Sequence, residues 1–273
     1  MTAYVLDNHH RRAADHHAAL AELLDPYTRA RIRALDSWPR TRRCLEVGAG
    51  GGSIACWLAD QVGPDGEVVA IDLKPDHIAP HPRLTTVAHD LTGFDPLPEA
   101  VTTRRFDLIH ARLTLAHLPA REAVLRRLAG LLAPDGMLLV QDWAPLRDGV
   151  VVAAPNRPAA ELYQRYQHAV GGAFDRAGTD RGWARRIHPS MANAGLADVE
   201  TQIHGRYWTG GDPGTRLVAA VAAQLRPQLL AAGLTETQLG VLAELLHDPL
   251  LVVHGHPLYS TSGRNSREIS PRR

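Results

Sequence analysis

Along the first half of this 273-residue chain, apolar residues follow two different patterns, short continuous runs and repeats at helical spacing. Short runs rich in valine, leucine and isoleucine are typical of strands. We predict five of them, over Cys44–Val47, Glu67–Leu73, Leu84–His89, Phe106–Ala111 and Met137–Trp143. Among the stretches between strands, Pro119–Leu132 repeats apolar residues at helical spacing. Strands that alternate with helices predict an α/β fold.

Two helices are predicted ahead of the first strand. Apolar residues recur at helical spacing over residues 8–24, and residues 27–35 form a second helical pattern. Asp25-Pro26 predicts a break between them, because proline lacks an N–H and its ring crowds the preceding turn. We therefore expect an N-terminal helical cap over residues 1–40.

The pattern loosens beyond Pro145. We predict a sixth strand over Asp198–Trp208, a seventh around Pro257–Arg264, and helices over Arg157–Phe174, Arg181–Ala194, Gly214–Ala232 and Thr235–Leu246. No repeat or low-complexity linker marks a second domain, so residues 41–264 should form one domain with helical lid segments at about 155–180 and 213–247. Residues 265–273 are expected to be a frayed tail.

The first strand ends in a glycine-rich turn. Glycines stand at 48, 50, 51 and 52, and Ser53 opens a helical pattern. Such a turn brings backbone N–H groups at the start of a helix close to an anionic ligand. A dinucleotide-binding turn in this register would have glycine or alanine at position 53, where this chain has Ser53. An ordinary strand-to-helix turn is the alternative interpretation.

An acidic residue ends the second strand, about 20 residues beyond the glycines. The carboxylate of Asp72 is able to accept hydrogen bonds from both hydroxyls of a ribose. Its alternative role is to cap the segment that follows. A second acidic residue, Asp90, ends the third strand and either binds a ligand or caps a turn before Thr92-Gly93.

These features together resemble a known family. The spacing of Glu46 with Gly48, Gly50 and Gly52, the two strand-end aspartates and an L-x-P-x-G before the fifth strand resemble the class I methyltransferases that use S-adenosylmethionine. The resemblance covers roughly residues 43–143 and is nearest to the small-molecule branch, which includes quinone C-methyltransferases and actinobacterial natural-product enzymes. It implies a Rossmann-like, doubly wound, seven-stranded sheet that is mostly parallel with the last strand antiparallel.

The resemblance also implies where the cofactor lies. Glu46 would orient the turn and the methionine end of S-adenosylmethionine, Asp90 would accept the adenine amino group, and the backbone at the end of the fourth strand would close the site beside the sulfonium. The expected cofactor-binding residues are Glu46, Gly48, Ala49, Gly50, Gly52, Asp72, Leu73, His89, Asp90, Leu91, His110, Ala111 and Arg112.

Transfer of the activated methyl group mainly requires a nucleophile placed in line behind it. Candidate general bases are His117, His10 and His17, and Tyr4 is a candidate for closing over the cofactor or acceptor. Each has a structural alternative, since His117 precedes a helix and the N-terminal histidines fit a solvated helix face. In the cap, His9 and His16 are two turns apart, as are His10 and His17, but no acidic or cysteine ligand set accompanies them at a recognised spacing, so we expect no metal.

Composition excludes few functions but weighs against some. The formal net charge of +1 gives no general attraction to nucleic acid or anionic membranes. Two cysteines without a C-x-x-C, no apolar run of about 20 residues and a polar N-terminal start favour a soluble, cytoplasmic protein. A single lysine, Lys74, among many arginines and alanines is typical of a GC-rich genome, and together with the resemblance to actinobacterial enzymes it favours a bacterial source. We expect a small-molecule acceptor and neither a nucleic-acid nor a membrane partner; a homodimer is one option for the assembly.

Three functions therefore stay open. The first is methyl transfer to carbon, nitrogen or oxygen of a small organic, secondary-metabolite-type acceptor. The second is an RNA or protein methyltransferase, which the near-neutral charge and the absence of an N/D-P-P-Y/F motif disfavour. The third is a cofactor-binding homologue that does not transfer a methyl group.

Overall fold

The computed structural model describes residue 6 and residues 13–92, 95–146 and 148–266. Within these ranges the helices are α1 (Ala13–Arg33), α2 (Ser53–Gln61), α3 (Glu99–Thr102), α4 (Arg121–Ala129), α5 (Arg157–Arg176), α6 (Ile187–Asn193), α7 (Pro213–Gln224), α8 (Arg226–Ala231) and α9 (Glu236–Leu245). The strands are β1 (Arg43–Val47), β2 (Glu67–Asp72), β3 (Leu84–Ala88), β4 (Phe106–Arg112), β5 (Leu132–Trp143), β6 (Val151–Ala153), β7 (Ala197–His204), β8 (Tyr207–Thr209), β9 (Val252–His254) and β10 (Leu258–Arg264). Short 3-10 helices lie at Trp38–Arg40, Pro75–His77, Leu115–His117 and Trp183–Arg186.

A seven-stranded sheet carries the fold, with the strand order β3-β2-β1-β4-β5-β10-β7. The five strands from β3 to β5 pair in parallel. β10 runs antiparallel to β5, with Leu258 opposite Trp143 and Arg264 opposite Met137. The predicted mostly parallel sheet with an antiparallel last strand is confirmed, and that last strand lies between β5 and β7.

The strand order reverses direction at β1. From there the chain builds β2 and β3 on one side and then returns to build β4 and β5 on the other. In open α/β sheets a crevice forms at such a reversal, beyond the carboxyl ends of the strands. The ends of β1, β2 and β4 are therefore the place where this sheet offers a ligand site.

The described residues form two compact units. The sheet unit contains the described residues of Asp25–Trp143, Gly182–Ile203 and Leu258–Arg273. The helical unit contains those of Met1–Leu24, Ala144–Arg181 and His204–Pro257. The two segments predicted as lids, about 155–180 and 213–247, thus both fall in the helical unit. Their role as lids stays a prediction.

The predicted break at Pro26 is wrong. α1 runs without interruption from Ala13 to Arg33, with Pro26 inside it. A proline inside a helix removes one hydrogen bond and costs about 3 kcal/mol, so interactions elsewhere must offset this loss. Polar contacts of Asp25 and Thr28 with the sheet unit supply them, since both side chains bond to Arg112 at the end of β4.

The same residue type ends a helix elsewhere. The predicted helix over Gly214–Ala232 is two helices, α7 and α8, which meet at Leu225. Pro227 lies in the first turn of α8, where a missing N–H has no helical acceptor to lose. Local sequence alone does not distinguish this proline from Pro26, because tertiary contacts decide whether a helix continues through a proline.

The predicted sixth strand is also divided. β7 belongs to the large sheet, whereas β8 joins β9 and β6 in a three-stranded antiparallel sheet that the sequence did not predict. Trp208 on β8 is buried within the helical unit, where it packs so closely on Gly214 that a Cβ there would lie 2.2 Å from its ring. Burial of this tryptophan in a different unit explains why the strand does not continue.

Two further boundaries differ from the prediction. α4 ends at Ala129, and β5 begins at Leu132, five residues earlier than expected. The L-x-P-x-G expected before the fifth strand, residues 132–136, lies inside β5 as an irregularity, with a positive φ of 57° at Asp135 and a register shift opposite β4. The predicted helix over 181–194 begins as a 3-10 turn, Trp183–Arg186, before α6.

Replacement of Pro26 tests whether tertiary contacts sustain α1. Pro26→Ala restores a helical N–H without removing a side-chain contact that the structure records, so the free energy of unfolding should rise by about 1–3 kcal/mol. Urea unfolding followed by circular dichroism measures this change. Pro39→Ala, in the 3-10 turn Trp38–Arg40, is the matched control and should change stability by less than about 0.5 kcal/mol. A less stable Pro26→Ala protein would contradict this account of α1.

Candidate active site

The turn after β1 has the geometry that its glycines predict. Gly48, Gly50 and Gly52 have φ values of 69°, 54° and 79°, which residues with a Cβ rarely adopt. Space is equally restricted: a Cβ on Gly48 would lie 2.1 Å from Thr114 Oγ1, and one on Gly52 would lie 2.7 Å from Ile78 Cγ2. The turn therefore requires glycine at both positions, and it leads directly into α2.

Asp72 fastens this turn to the end of β2. Its Oδ2 accepts the N–H of Gly50 at 2.8 Å, and its Oδ1 accepts the N–H of Lys74 at 2.9 Å. Asp72 is not the N-cap of the 3-10 helix that follows: the N-cap is Lys74, whose own side chain makes no capping hydrogen bond. Each carboxylate oxygen retains a second lone pair for a ligand hydroxyl.

An exposed apolar side chain stands next to Asp72. Leu73 is 53% exposed, which is unusual for a leucine at the end of a buried strand. His89, across from it at the end of β3, donates its N–H to the carbonyl of Asp72 at 2.9 Å. The carboxyl ends of β2 and β3 are thus joined by a backbone hydrogen bond, and they present an apolar side chain of the kind that a nucleoside base packs against.

Asp90 caps a turn, as the alternative interpretation allowed. Its Oδ1 accepts the N–H of Thr92 at 2.8 Å and the hydroxyl of Thr92 at 2.6 Å, and these hydrogen bonds lower the pKa of the carboxyl group. Within the described residues its Oδ2 makes no hydrogen bond. Leu91 beside it is buried. Turn capping thus leaves one oxygen for a ligand amino group.

Glu46 and His110 form a buried pair beneath the turn. The Oε2 of Glu46 lies 2.7 Å from Nδ1 of His110, with side chains 4% and 0% exposed. The other ring nitrogen of His110 lies 3.1 Å from Oε1 of Gln141 on β5. Both side chains are therefore engaged inside the sheet unit, and the cofactor-binding roles expected of Glu46 and His110 stay predictions.

The end of β4 meets the glycine turn through its main chain. Ala111 is buried and pairs with Val47 of β1. The hydroxyl of Thr114 has two carbonyl acceptors, that of Val47 at 3.2 Å and that of Arg112 at 3.0 Å. The N–H of Ala49 is bonded to Ile71 at the end of β2. These contacts join the carboxyl ends of β1, β2 and β4 into one surface, which we call the platform.

Arg112 extends from the end of β4 to the start of α2. Its Nη2 donates to Oδ1 of Asp25 at 2.9 Å and its Nη1 to Thr28 Oγ1 at 2.9 Å. The same oxygen of Asp25 accepts the hydroxyl of Ser53, the first residue of α2, at 3.2 Å. Thr28 also donates to Gln141 at 2.8 Å. The side chain of Arg112 therefore lies alongside the glycine turn.

His117 lies on the 3-10 helix Leu115–His117, directly after Thr114. Burial, together with the positive charge of Arg121, lowers its pKa from 6.5 to about 4. At neutral pH the imidazole is therefore uncharged, but its basicity is far below the value near 7 that suits a general base.

The other catalytic candidates are more distant in the chain. His17 lies on α1 in the helical unit, edge-on to His16 with ring centroids 5.6 Å apart, and burial lowers the pKa of His16 to about 4. Tyr4 and His10 lie outside the described residues. Their roles stay predictions.

Two features are absent from the described residues. No group of three or more His, Cys, Asp or Glu side chains among them is arranged to hold a metal ion. None of their helices combines the length and apolar character that crossing a bilayer requires.

Sequence reasoning missed the residues that organise the platform. Asp25 was interpreted with Pro26 as a helix break, yet it is 4% exposed and joins α1, α2 and β4. Gln141 is fully buried in β5 and bonds to residues of three other elements. A polar residue within the apolar run MLLVQDW was the available signal, since buried amides are kept only with partners.

Comparison with known proteins gives one consistent result. Residues 9–200 match the profile of a family described as a methyltransferase domain. Nocamycin O-methyltransferase of Saccharothrix syringae is 30% identical over 255 residues, which cover 81% of this chain and 89% of that protein. The chain belongs to the class I methyltransferases. Members of this family use S-adenosylmethionine as the methyl donor, and the implied cofactor is therefore confirmed.

Other similarities to the methyltransferases are shorter or more remote. Methyltransferase Str2 of Strobilurus tenacellus is 38% identical over 111 residues, which span 40% of this chain and only 39% of that protein. A cyclopropane-fatty-acyl-phospholipid synthase-like protein from Lactobacillus casei superposes with a TM-score of 0.54 over 96% of both chains. At 15% identity, that likeness concerns the fold alone.

The platform fits the methyl donor of this family. A nucleoside needs acceptors for its ribose hydroxyls, and Asp72 offers two oxygens fixed by backbone N–H groups. The adenine ring needs an apolar neighbour and an acceptor, and Leu73 and Asp90 offer them. Close approach to the turn is possible because its glycines lack a Cβ.

Removal of the Asp72 carboxylate should weaken cofactor binding. In Asp72→Ala the ribose hydroxyls lose a charged acceptor, so the binding free energy for S-adenosylhomocysteine should become less favourable by more than about 1 kcal/mol. Isothermal titration calorimetry measures the change. Asp76→Ala, at an exposed carboxylate in the next 3-10 helix, is the control and should bind as the unmodified protein does. Equal affinities of all three proteins would exclude Asp72 from the site.

Buried neutral histidines should make stability depend on pH. His16, His117 and His256 each have a pKa lowered from 6.5 to about 4, in every case chiefly by burial. Between these values the unfolded chain binds protons that the folded chain does not, so the unfolding free energy should fall as pH falls from about 6.5 to about 4. Thermal unfolding across this range measures the slope. His117→Gln should flatten it and His168→Gln, at an exposed site, should not; an unchanged slope in His117→Gln would contradict the assignment.

Proposed function

We propose that this methyltransferase transfers the methyl group of S-adenosylmethionine to an oxygen atom of a small organic acid or acidic enol in natural-product biosynthesis. The observation that carries the donor site is the glycine turn fastened by Asp72 at the reversal of strand order. An oxygen acceptor is supported by the similarity to nocamycin O-methyltransferase over most of both chains.

The acid-base properties of the site favour an acceptor that arrives ionised. The sulfonium methyl is already activated, so orientation in line with the acceptor supplies most of the acceleration. A neutral hydroxyl would also require a general base with a pKa near the working pH. His117 has a pKa of about 4 and suits that task poorly. A carboxylate or an ionised enol needs no such base.

The other two candidate functions have less support. Macromolecular substrates would be favoured by an extended basic face, whereas the formal net charge of the chain is +1. A homologue without transfer chemistry would show cofactor binding with no product. No feature of the described residues favours either of them over a small acceptor.

Product analysis tests the proposal. The protein is incubated with S-adenosylmethionine labelled with carbon-13 on the methyl group and with matched panels of carboxylic acids, acidic enols, phenols and amines. We expect labelled products that carry an O-methyl group, identified from the carbon-13 shift of the methyl signal, only in the first two panels. Label on nitrogen or carbon would overturn the choice of oxygen, and cofactor binding with no labelled product from any panel would favour the homologue without transfer chemistry.

The requirement for a base is tested separately at His117. An acceptor that is already ionised predicts that His117→Gln keeps kcat within about tenfold of the unmodified value, because general-base catalysis contributes about 10²–10⁴-fold where it operates. Steady-state kinetics at neutral pH, with S-adenosylhomocysteine affinity as the control for folding, gives the answer. A loss of about a hundredfold with unchanged cofactor affinity would identify His117 as the base.

A further inference from the structure

A groove in the helical unit is lined by basic side chains. It lies between α5 and the turn that joins α8 to α9, and its volume is about 370 Å³. Arg165, His168 and Arg176 line it from α5, beside apolar residues such as Ala169 and Leu234. No aspartate or glutamate is among the described residues that line it. A groove of this size is large enough for a small ligand.

The basic residues share one face of α5 because of their helical spacing. The groove takes positions 165, 168, 169, 172 and 176 of this helix, which follow an i, i+3, i+4, i+7, i+11 pattern. A Cβ on Gly172 would lie 3.2 Å from Nη1 of Arg176, so the guanidinium of Arg176 folds back over Gly172. Gly172 lies about 10 Å along the helix axis from Arg165. Both guanidinium groups are therefore within reach of an anion placed over His168.

Hydrogen bonds hold two of these side chains in the groove. The Nη2 of Arg165 donates to the carbonyl of Gly233, in the α8–α9 turn, at 3.3 Å. Arg165 retains further N–H groups for a ligand, since a guanidinium carries five. The Nδ1 of His168 donates to the carbonyl of Gln164 at 2.8 Å, which leaves Nε2 of the ring for a ligand.

The acidic residues nearest in the chain are paired with other arginines. On α5, Glu161 pairs with Arg157 at 2.7 Å and Asp175 pairs with Arg181 at 3.4 Å. Glu236, at the start of α9, pairs with an arginine of α8. Within the described ranges no ion pair joins either arginine of the groove to a carboxylate. The groove therefore carries an excess of positive charge, which attracts anions.

A phosphate monoester matches this excess charge better than a carboxylate does. Its phosphate carries about 1.5 to 2 negative charges at neutral pH and three strong acceptor oxygens. A carboxylate carries one charge on two oxygens. Guanidinium groups bind phosphate through parallel N–H donors. The apolar side chains of Ala169 and Leu234 provide a surface for the organic part of an ester.

We propose that this groove binds a phosphate monoester of a small organic molecule, with the phosphate over His168 and held by Arg165 and Arg176. The organic part packs on Ala169 and Leu234. Because Arg165 also holds the α8–α9 turn, the bound ligand joins this turn to α5 and stabilises the helical unit. The groove belongs to the helical unit and the glycine turn to the sheet unit, so the proposal is independent of the donor site.

Calorimetric titration of the full chain with phenyl phosphate tests the proposal. The buffer contains no phosphate, and S-adenosylhomocysteine is present at saturation to keep the probe from binding at the glycine turn. The unmodified protein should bind phenyl phosphate, and it should bind benzoate about tenfold more weakly or worse, because charge-assisted hydrogen bonds are lost. Inorganic phosphate should bind more weakly than phenyl phosphate, because it lacks the apolar contact.

Variants of α5 locate the bound phosphate. Arg165→Gln and Arg176→Gln should each weaken the binding of phenyl phosphate about tenfold or more, with the affinity for S-adenosylhomocysteine unchanged. The matched control, Arg157→Gln, changes an exposed arginine of the same helix that pairs with Glu161 and does not line the groove, and it should bind phenyl phosphate as the unmodified protein does. Gly172→Ala keeps both arginines but displaces that at 176, so it should also weaken binding, while the higher helix propensity of alanine keeps α5 folded.

Each contrary result has a distinct meaning. No binding of phenyl phosphate by the unmodified protein, or equal affinities in the unmodified protein and in both arginine variants of the groove, would overturn the site. Benzoate bound as tightly as phenyl phosphate would overturn the choice of phosphate. Inorganic phosphate bound as tightly as phenyl phosphate would overturn the organic ester and identify free phosphate as the ligand.

Discussion

A buried carboxylate and imidazole, Glu46 and His110, lie 2.7 Å apart beneath the glycine turn and join β1 to β4. The contact continues through Gln141 and Thr28 to Arg112 and Asp25, so that one chain of polar side chains crosses the ends of β1, β4 and β5 and reaches α1 and α2. Removing one member would leave buried polar partners unsatisfied at a cost of several kcal/mol. The relative placement of the strand ends depends on this chain.

The platform at the strand ends is expected to orient the reactants, and methyl transfer from a sulfonium requires little more from the protein. A sulfonium methyl is reactive once a nucleophile lies in line with it, so the contribution expected of the protein is orientation, which can lower a barrier by about 7–11 kcal/mol. Rigid strand ends suit that task better than loops, because their positions are set by the register of the sheet. The site accordingly offers fixed acceptors and donors, and burial lowers the pKa of its candidate base, His117, to about 4.

Most of the sheet unit was predictable because its signals are local. Buried parallel strands leave apolar runs, and the turn at Gly48–Gly52 leaves glycines at positions where φ must be positive. The failures have equally physical causes. Pro26 and Pro227 look alike in sequence, but only Pro227 ends a helix, because contacts of Asp25 and Thr28 with Arg112 sustain α1. The division of the sixth strand follows from where Trp208 is buried, which the alternation of residues cannot specify.

The sequence by itself determined the family and the donor, because the glycine turn and the strand-end carboxylates lie in short local patterns. The residues expected to bind the nucleoside stay a prediction. The tertiary structure decided which polar groups come together from distant positions: Glu46 with His110, and Arg112 with Asp25, 87 residues apart. It also showed that His117 is buried, which lowers the pKa of its imidazole to about 4. Burial and long-range pairing are properties of the packed chain, and no local pattern encodes them.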